Sequence, residues 1–312
     1  MIDPLIAFRR VRQLAPSGPR TTTARARATV AGLRDSARRA PGIVAELTEM
    51  EHLVRDVEDI PVSVLTRPGW AQAAAQSVGT LLESGPAAEA FNSRIASEEF
   101  AAALAFLAPR ILGQFDPFAL TALPDRGLPI AGRLLLVAPN IAGFDERFDL
   151  DRRDVHMFVC VHEFTHAFQF TAAPWLRDVL TSKVHATLEQ IREDSRGMHE
   201  DLADIMTIMS VLEGHAEYVM NRVPIARIPS IRRVTGAMAR RRSDSSPLRE
   251  AASRLLGLDM KMAQYRKGEE FIAQVARRAG HSGVNALWAD PLHLPSPAEL
   301  DQPSVWMARV LG

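Results

Sequence analysis

Six residues restrict this chain more than any others: Val161-His162-Glu163-Phe164-Thr165-His166. The H-E-x-x-H spacing is a helical one. Positions four apart stack one turn above the other, so His162 and His166 present two imidazoles to one cation. Glu163 stands beside that pair rather than in it, placed to take a proton from an activated water. The flanks suit a buried helix, since Val159, Cys160, Val161, Ala167 and Phe168 are all uncharged. A chance match inside a buried helix is the competing reading, and a third ligand is what separates the two.

A second signal lies downstream. From Asp201 to Asn221 the chain is apolar almost all round, through Ile205, Met206, Ile208, Met209, Val211, Leu212, Val219 and Met220, which predicts an interior helix. Into it are set Glu213, Gly214, His215 and Glu217. Ionised carboxylates are costly in an apolar interior unless paired or bound to a cation, so two of them four residues apart call for a positive partner. Zinc held by His162 and His166 supplies one. Successive helical residues turn by about 100°, which lets the helix offer either Glu213 with Glu217, or His215, but not all three. Gly214 costs helix stability and admits a close neighbour.

Composition narrows the setting. The 312 residues are 47% hydrophobic and 24% charged, with no net charge, enough for a sizeable core and no electrostatic case for nucleic acid or an anionic membrane. Cys160 is the only cysteine, which excludes an internal disulfide and fits a reducing compartment. It falls roughly opposite His162 on the helix and reads as a packed thiol. Arg9, Arg10 and Arg12 interrupt the first residues too early for a secretory apolar core, and no run of about 18 apolar residues occurs. The expectation is a cytoplasmic protein without a membrane span.

Along the chain, residues 1–40 form an arginine-rich segment, in which nine arginines and two acidic residues leave a charge near +7. It reads as a solvated helix or loose terminus. Residues 41–312 read as one domain, with a helical half to about residue 130 and a catalytic half after it. Trp70 to Leu82, Ala87 to Ile95, Phe100 to Leu107, Trp175 to Ile191, Pro247 to Gly257 and Lys261 to Gly280 read as helices. Asp116 to Asp149 is loop-like except for Arg133-Leu134-Leu135-Leu136-Val137, a strand that reads either as a substrate-side edge or as a plain structural strand. Asp154 and Asp151 are equal candidates to cap the H-E-x-x-H helix.

Two resemblances add to this. Glu213-Gly214-His215-Ala216-Glu217-Tyr218 resembles the Glu-Gly-Phe-Ala-Glu-Tyr segment of gluzincin aminopeptidases. That likeness implies Glu213 as third zinc ligand and Glu217 as a partner of a ligand histidine. The 47 positions between His166 and Glu213 are far more than those families have, so the likeness is to the site. Burial cost agrees with it, because choosing His215 would strand both carboxylates in the interior, whereas a buried histidine can stay neutral. Over nearly its whole length the chain also resembles a bacterial family of zinc-dependent metalloprotease-like proteins, labelled hydrolases or coenzyme F-420 biosynthesis-associated. Leu-Val-Ala-Pro-Asn-Ile at 136–141, His-Glu-Phe-Thr-His-Ala-Phe-Gln-Phe at 162–170 and Pro-Trp-Leu-Arg at 174–177 carry the match. So do Glu-Gly-His-Ala-Glu-Tyr-Val-Met at 213–220, Lys-Met-Ala-Gln-Tyr-Arg-Lys-Gly at 261–268 and Leu-Pro-Ser-Pro-Ala-Glu.

The expectation is a mainly α (α+β) zincin-like metallopeptidase fold, with the H-E-x-x-H helix, a second buried ligand helix and a small strand element. Zinc would be held by His162, His166 and Glu213, with Glu163 as general base for cleavage of an amide or peptide bond. Tyr218, Tyr265, His215 and His281 are candidate oxyanion donors. The alternatives are a non-catalytic zinc protein with a structural or sensing site, and a scaffold that binds partners through the arginine-rich segment.

Overall fold

The computed structural model describes residues 3–83, 94–122, 129–192, 198–243 and 259–312. It is mainly helical with one three-stranded sheet. The residues sort into two compact units, Met1–Pro41 with Val54–Ala167, and Gly42–Leu53 with Phe168–Gly312.

The first unit holds the sheet: β1 (Val62–Leu65), β2 (Gly113–Ala122) and β3 (Pro129–Val137), in the order β1-β3-β2. Val62 pairs with Leu134 in parallel, and Phe115 pairs with Leu134 antiparallel on the other side. The strand that contains Arg133 to Val137 is therefore central, so of its two readings the structural strand holds and the substrate edge does not. The physical reason is in its composition, because Leu134 to Val137 are apolar at every position and wholly buried, the pattern of a strand covered on both faces. The edges are β1 and β2, and β2 falls in the stretch whose prolines, Pro117 among them, predict a loop. Its register shifts between Asp116 and Leu120, and an edge strand with a shift is where a proline is tolerated. Buried Asp116 pins the shift, ion-paired with Arg133 at 2.9 Å and accepting from Ser77 and, at 3.3 Å, from the Phe118 amide.

Helices α1 (Pro4–Leu14), α2 (Thr23–Thr48), α3 (Val54–Glu58), α4 (Arg67–Glu83), α5 (Arg94–Leu107), α6 (Ala138–Phe148) and α7 (Arg152–Ala172) follow in chain order. The N-terminal segment is not loose. Asp3 caps α1, accepting from the Leu5 amide at 2.8 Å. Ala7 and Val11, one turn apart, are buried as α1 packs on α4 and α5. The arginines between them turn outward, and Arg10 pairs with Glu98. Two small residues amid so many cations gave too thin an apolar stripe to read. Deleting residues 1–15 is accordingly expected to destabilise this unit by about 2–3 kcal/mol, the scale of uncovering a buried aliphatic side chain. A thermal melt that does not move would contradict it.

Asp151, not Asp154, caps α7. Its Oδ1 accepts from the amides of Arg153 at 2.8 Å and Asp154 at 3.2 Å. Near that end His156 is buried against Gly32 of α2, where an added Cβ would lie 2.8 Å from its Nδ1. Burial, then the Arg152 charge, push its pKa from 6.5 down to about 4. The folded state thus prefers the neutral ring, and the unfolded chain binds the extra proton. Stability from this group is complete above about pH 6.5 and is lost as pH falls towards 4, by about 3 kcal/mol in all. His156→Phe is expected to flatten the acid limb of a stability–pH curve, and an unchanged limb would refute the assignment.

In the second unit, helices α8 (Leu176–Arg192), α9 (Met198–Arg222), α10 (Ile231–Ser243) and α11 (Asp259–Asn285) precede two short ones, α12 (Pro297–Asp301) and α13 (Pro303–Val310). The central helix α9 packs on α8 and α11. It meets α11 glycine to glycine: a Cβ on Gly214 would fall inside the backbone of Gly268, and one on Gly268 inside that of Ser210. A kink at Gly280, φ 71°, bends α11, a conformation that favours glycine. The C-terminal residues pack back on this unit, with Trp288 and Trp306 buried. Trp306 donates to His293 O at 2.7 Å, and Arg309 pairs with Glu299 at 2.7 Å. The helix expected over 247–257 lies outside the described residues, as does most of the one over 87–95. Among the described residues no helix is long and apolar enough to cross a membrane.

Candidate metal centre

Residues 162 and 166 fall one turn apart on α7, and their rings meet edge to face with centroids 5.0 Å apart. One ligand atom from each of His162, His166 and Glu213 lies within 4.8 Å of the others. All three side chains are half-buried. Two imidazole nitrogens and a carboxylate oxygen are a donor set that zinc accepts, with room left for a fourth ligand, so these residues fit the ion that the sequence pattern implies.

Glu163 is not in that cluster. It is buried, and its Oε2 accepts from the Phe115 amide of β2 at 2.9 Å. The carboxylate lies across the start of the strand, where a Cβ on Gly113 would come within 2.6 Å of Glu163 Cγ. The strand edge thus holds the candidate base, with a glycine to make room and an amide to fix it. Neither Gly113 nor Phe115 was picked out from the sequence, where a lone glycine at a strand start is the only trace. Burial, then the Glu163 charge, push the nearby Cys160 thiol well up, so it is inert.

His215 is wholly buried and turned elsewhere. Its Nδ1 lies 3.0 Å from Gln169 Nε2 and its Nε2 lies 3.3 Å from His281 Nε2, and the Trp288 ring lies against it at 5.4 Å. The ring of Tyr218 lies 5.9 Å from that of His281 and 5.3 Å from the Arg222 guanidinium carbon. Burial, then the Arg222 charge, push the His281 pKa from 6.5 down to about 4. Glu217 is half-buried, one turn beyond Glu213. Tyr265 belongs to α11, but its side chain lies outside the described ones. Gln169 was missed by sequence reasoning, although it continues the spacing of His162 and His166 to i, i+4, i+7.

A crystal structure described as "a putative hydrolase with a novel fold", from Chloroflexus aurantiacus, matches with a TM-score of 0.70 and 27% identity, over 99% of this chain and 98% of that one. No curated protein matches. A sequence model described as zincin-like metallopeptidase matches residues 2–207 and 199–307. The H-E-x-x-H helix and nearly all the rest of the molecule fall within that match, and the chain belongs to the zincin-like metallopeptidase family.

Proposed function

We propose that this protein is a zinc-dependent hydrolase that cleaves an amide or peptide bond. The carrying observation is a division of labour around α7. Two imidazoles and a carboxylate converge within 4.8 Å, while Glu163, adjacent in sequence to one of them, is fixed on the Phe115 amide instead. A structural zinc has four protein ligands. Among the described residues the cluster offers three, and a structural site has no use for a fixed carboxylate beside it. The family to which the chain belongs and the hydrolase label of the Chloroflexus protein support the same reading.

When bound, zinc supplies Lewis acidity towards the substrate carbonyl and lowers the pKa of the attacking water. His162, His166 and Glu213 hold it. Glu163 takes the proton from the attacking water and delivers it to the leaving amine. Glu217 orients a ligand imidazole by a hydrogen bond. Tyr218 is the preferred donor to the developing oxyanion over His215, whose two ring nitrogens face Gln169 and His281; Tyr265 is the other candidate. An extended substrate has a docking edge in β2, which ends the sheet and carries the Phe115 amide beside Glu163.

Protein purified without chelator is expected to carry about one zinc per chain, and His162→Ala or His166→Ala to lose it. Elemental analysis tests this, followed by digestion of an unbiased peptide library. A native chain that contains no metal and takes none up would overturn the reading.

A further inference from the structure

The stripe of α7 that carries His162 and His166 continues to Gln169, since positions i, i+4 and i+7 lie within about 60° of one another. Gln169 is wholly buried. Its Nε2 donates to Leu212 O at 2.9 Å and lies 3.0 Å from His215 Nδ1. The nitrogen that donates to the carbonyl is the amide NH2, so it donates to the imidazole as well, and Nδ1 of His215 is an acceptor. The His215 proton therefore sits on Nε2 and points to His281 Nε2, 3.3 Å away. His281 keeps its own proton on Nδ1, which is buried without a partner among the described residues. One amide thus sets the tautomers of two histidines.

Where these bonds fall on α9 matters. Leu212 immediately precedes Glu213, and Glu213 and His215 project about 200° apart around the helix. Gln169 fastens the backbone beside the carboxylate and ties down the one other side chain of that turn with high affinity for zinc.

We propose that Gln169 is a positioning residue of the metal centre, which fixes the rotation of α9 that offers Glu213 and keeps His215 from replacing it. The inference rests on the zinc-hydrolase reading above. A histidine in place of the carboxylate would raise the net charge of the site by one and change its Lewis acidity, so the lock bears on chemistry as well as affinity.

The test compares the full chain with Gln169→Met, which keeps the volume and removes both hydrogen bonds. Zinc affinity is measured by chelator competition, ligand type by the visible spectrum with cobalt alone, and tautomers by nitrogen NMR of the histidines in the metal-free native chain. The expected results are a 10–100-fold loss of zinc affinity, a shifted cobalt spectrum in the variant, and His215 protonated on Nε2. A folded variant with unchanged affinity and spectrum overturns the inference, as does a native His215 protonated on Nδ1. Should Gln169→Met not fold, the same measurements on Gln169→Asn, which retains an amide one bond shorter, decide the matter. A native chain with the expected tautomers that takes up neither zinc nor cobalt removes the zinc reading and the metal role of Gln169 with it, while the hydrogen-bond network stands.

Discussion

Glu163→Gln is expected to leave the fold and the zinc content intact and to lower turnover by about 10²–10⁴-fold, the range that a positioned general base contributes. Glutamine is nearly isosteric, and its carbonyl oxygen can still accept from the Phe115 amide that holds the native carboxylate at 2.9 Å. The three clustered ligand atoms belong to other residues, so the metal has no reason to leave. What disappears is the lone pair that takes a proton. Gly113→Ala should reproduce part of the loss by another route, because its Cβ would sit 2.6 Å from Glu163 Cγ and push the carboxylate off the strand. Turnover retained in Glu163→Gln would mean that another group is the base, and zinc lost from it would mean that Glu163 coordinates.

Gly214→Ala and Gly268→Ala are expected to be the most damaging substitutions outside the ligands, each costing about 4 kcal/mol or more. Overpacking a core typically costs about 1–3 kcal/mol because side chains can move aside. Here the atoms in the way are backbone, Gly268 and Glu269 for one glycine and Ser210 for the other. Helices α9 and α11 must separate along their contact, and the turn that carries Glu213 moves with them. Loss of zinc affinity should therefore accompany the fall in melting temperature. Gly42→Ala is the control, since an added Cβ there meets nothing within 4 Å; helix propensity alone predicts a gain of up to about 1 kcal/mol. A Gly214→Ala protein that melts like the native one would show that the crossing is looser than described.

The features legible in the sequence were those with a local period. The H-E-x-x-H helix, the paired carboxylates of α9 (half-buried rather than interior), the apolar run of β3 and the mainly helical class with a small strand element all announce themselves within a few turns of chain. Gly214 was legible too, as a place of close approach, though its partner Gly268 was not. What stayed hidden depends on contacts across long separations. β2 carries Pro117 and resembles a loop until its partner strand and the Asp116–Arg133 pair, 17 positions apart, are known. Gln169 has no mark of its own, because a buried glutamine becomes meaningful only when the carbonyl it reaches, 43 positions on, is identified. The packing of α1 was masked by composition, since its arginines outnumber the two small residues that anchor it.

The lone thiol of Cys160 gives this chain a probe that needs no engineering. It is wholly buried in the middle of α7, with its sulfur 3.8 Å from the Leu33 carbonyl oxygen, and no second cysteine competes for a reagent. Alkylation in native buffer can proceed only through openings that lift α7 from its neighbours, so its rate measures their frequency. Zinc that binds His162 and His166, on the same helix, should slow alkylation in proportion to its occupancy. The rate with and without metal then measures how strongly the ion holds its own helix in place, with no substrate required.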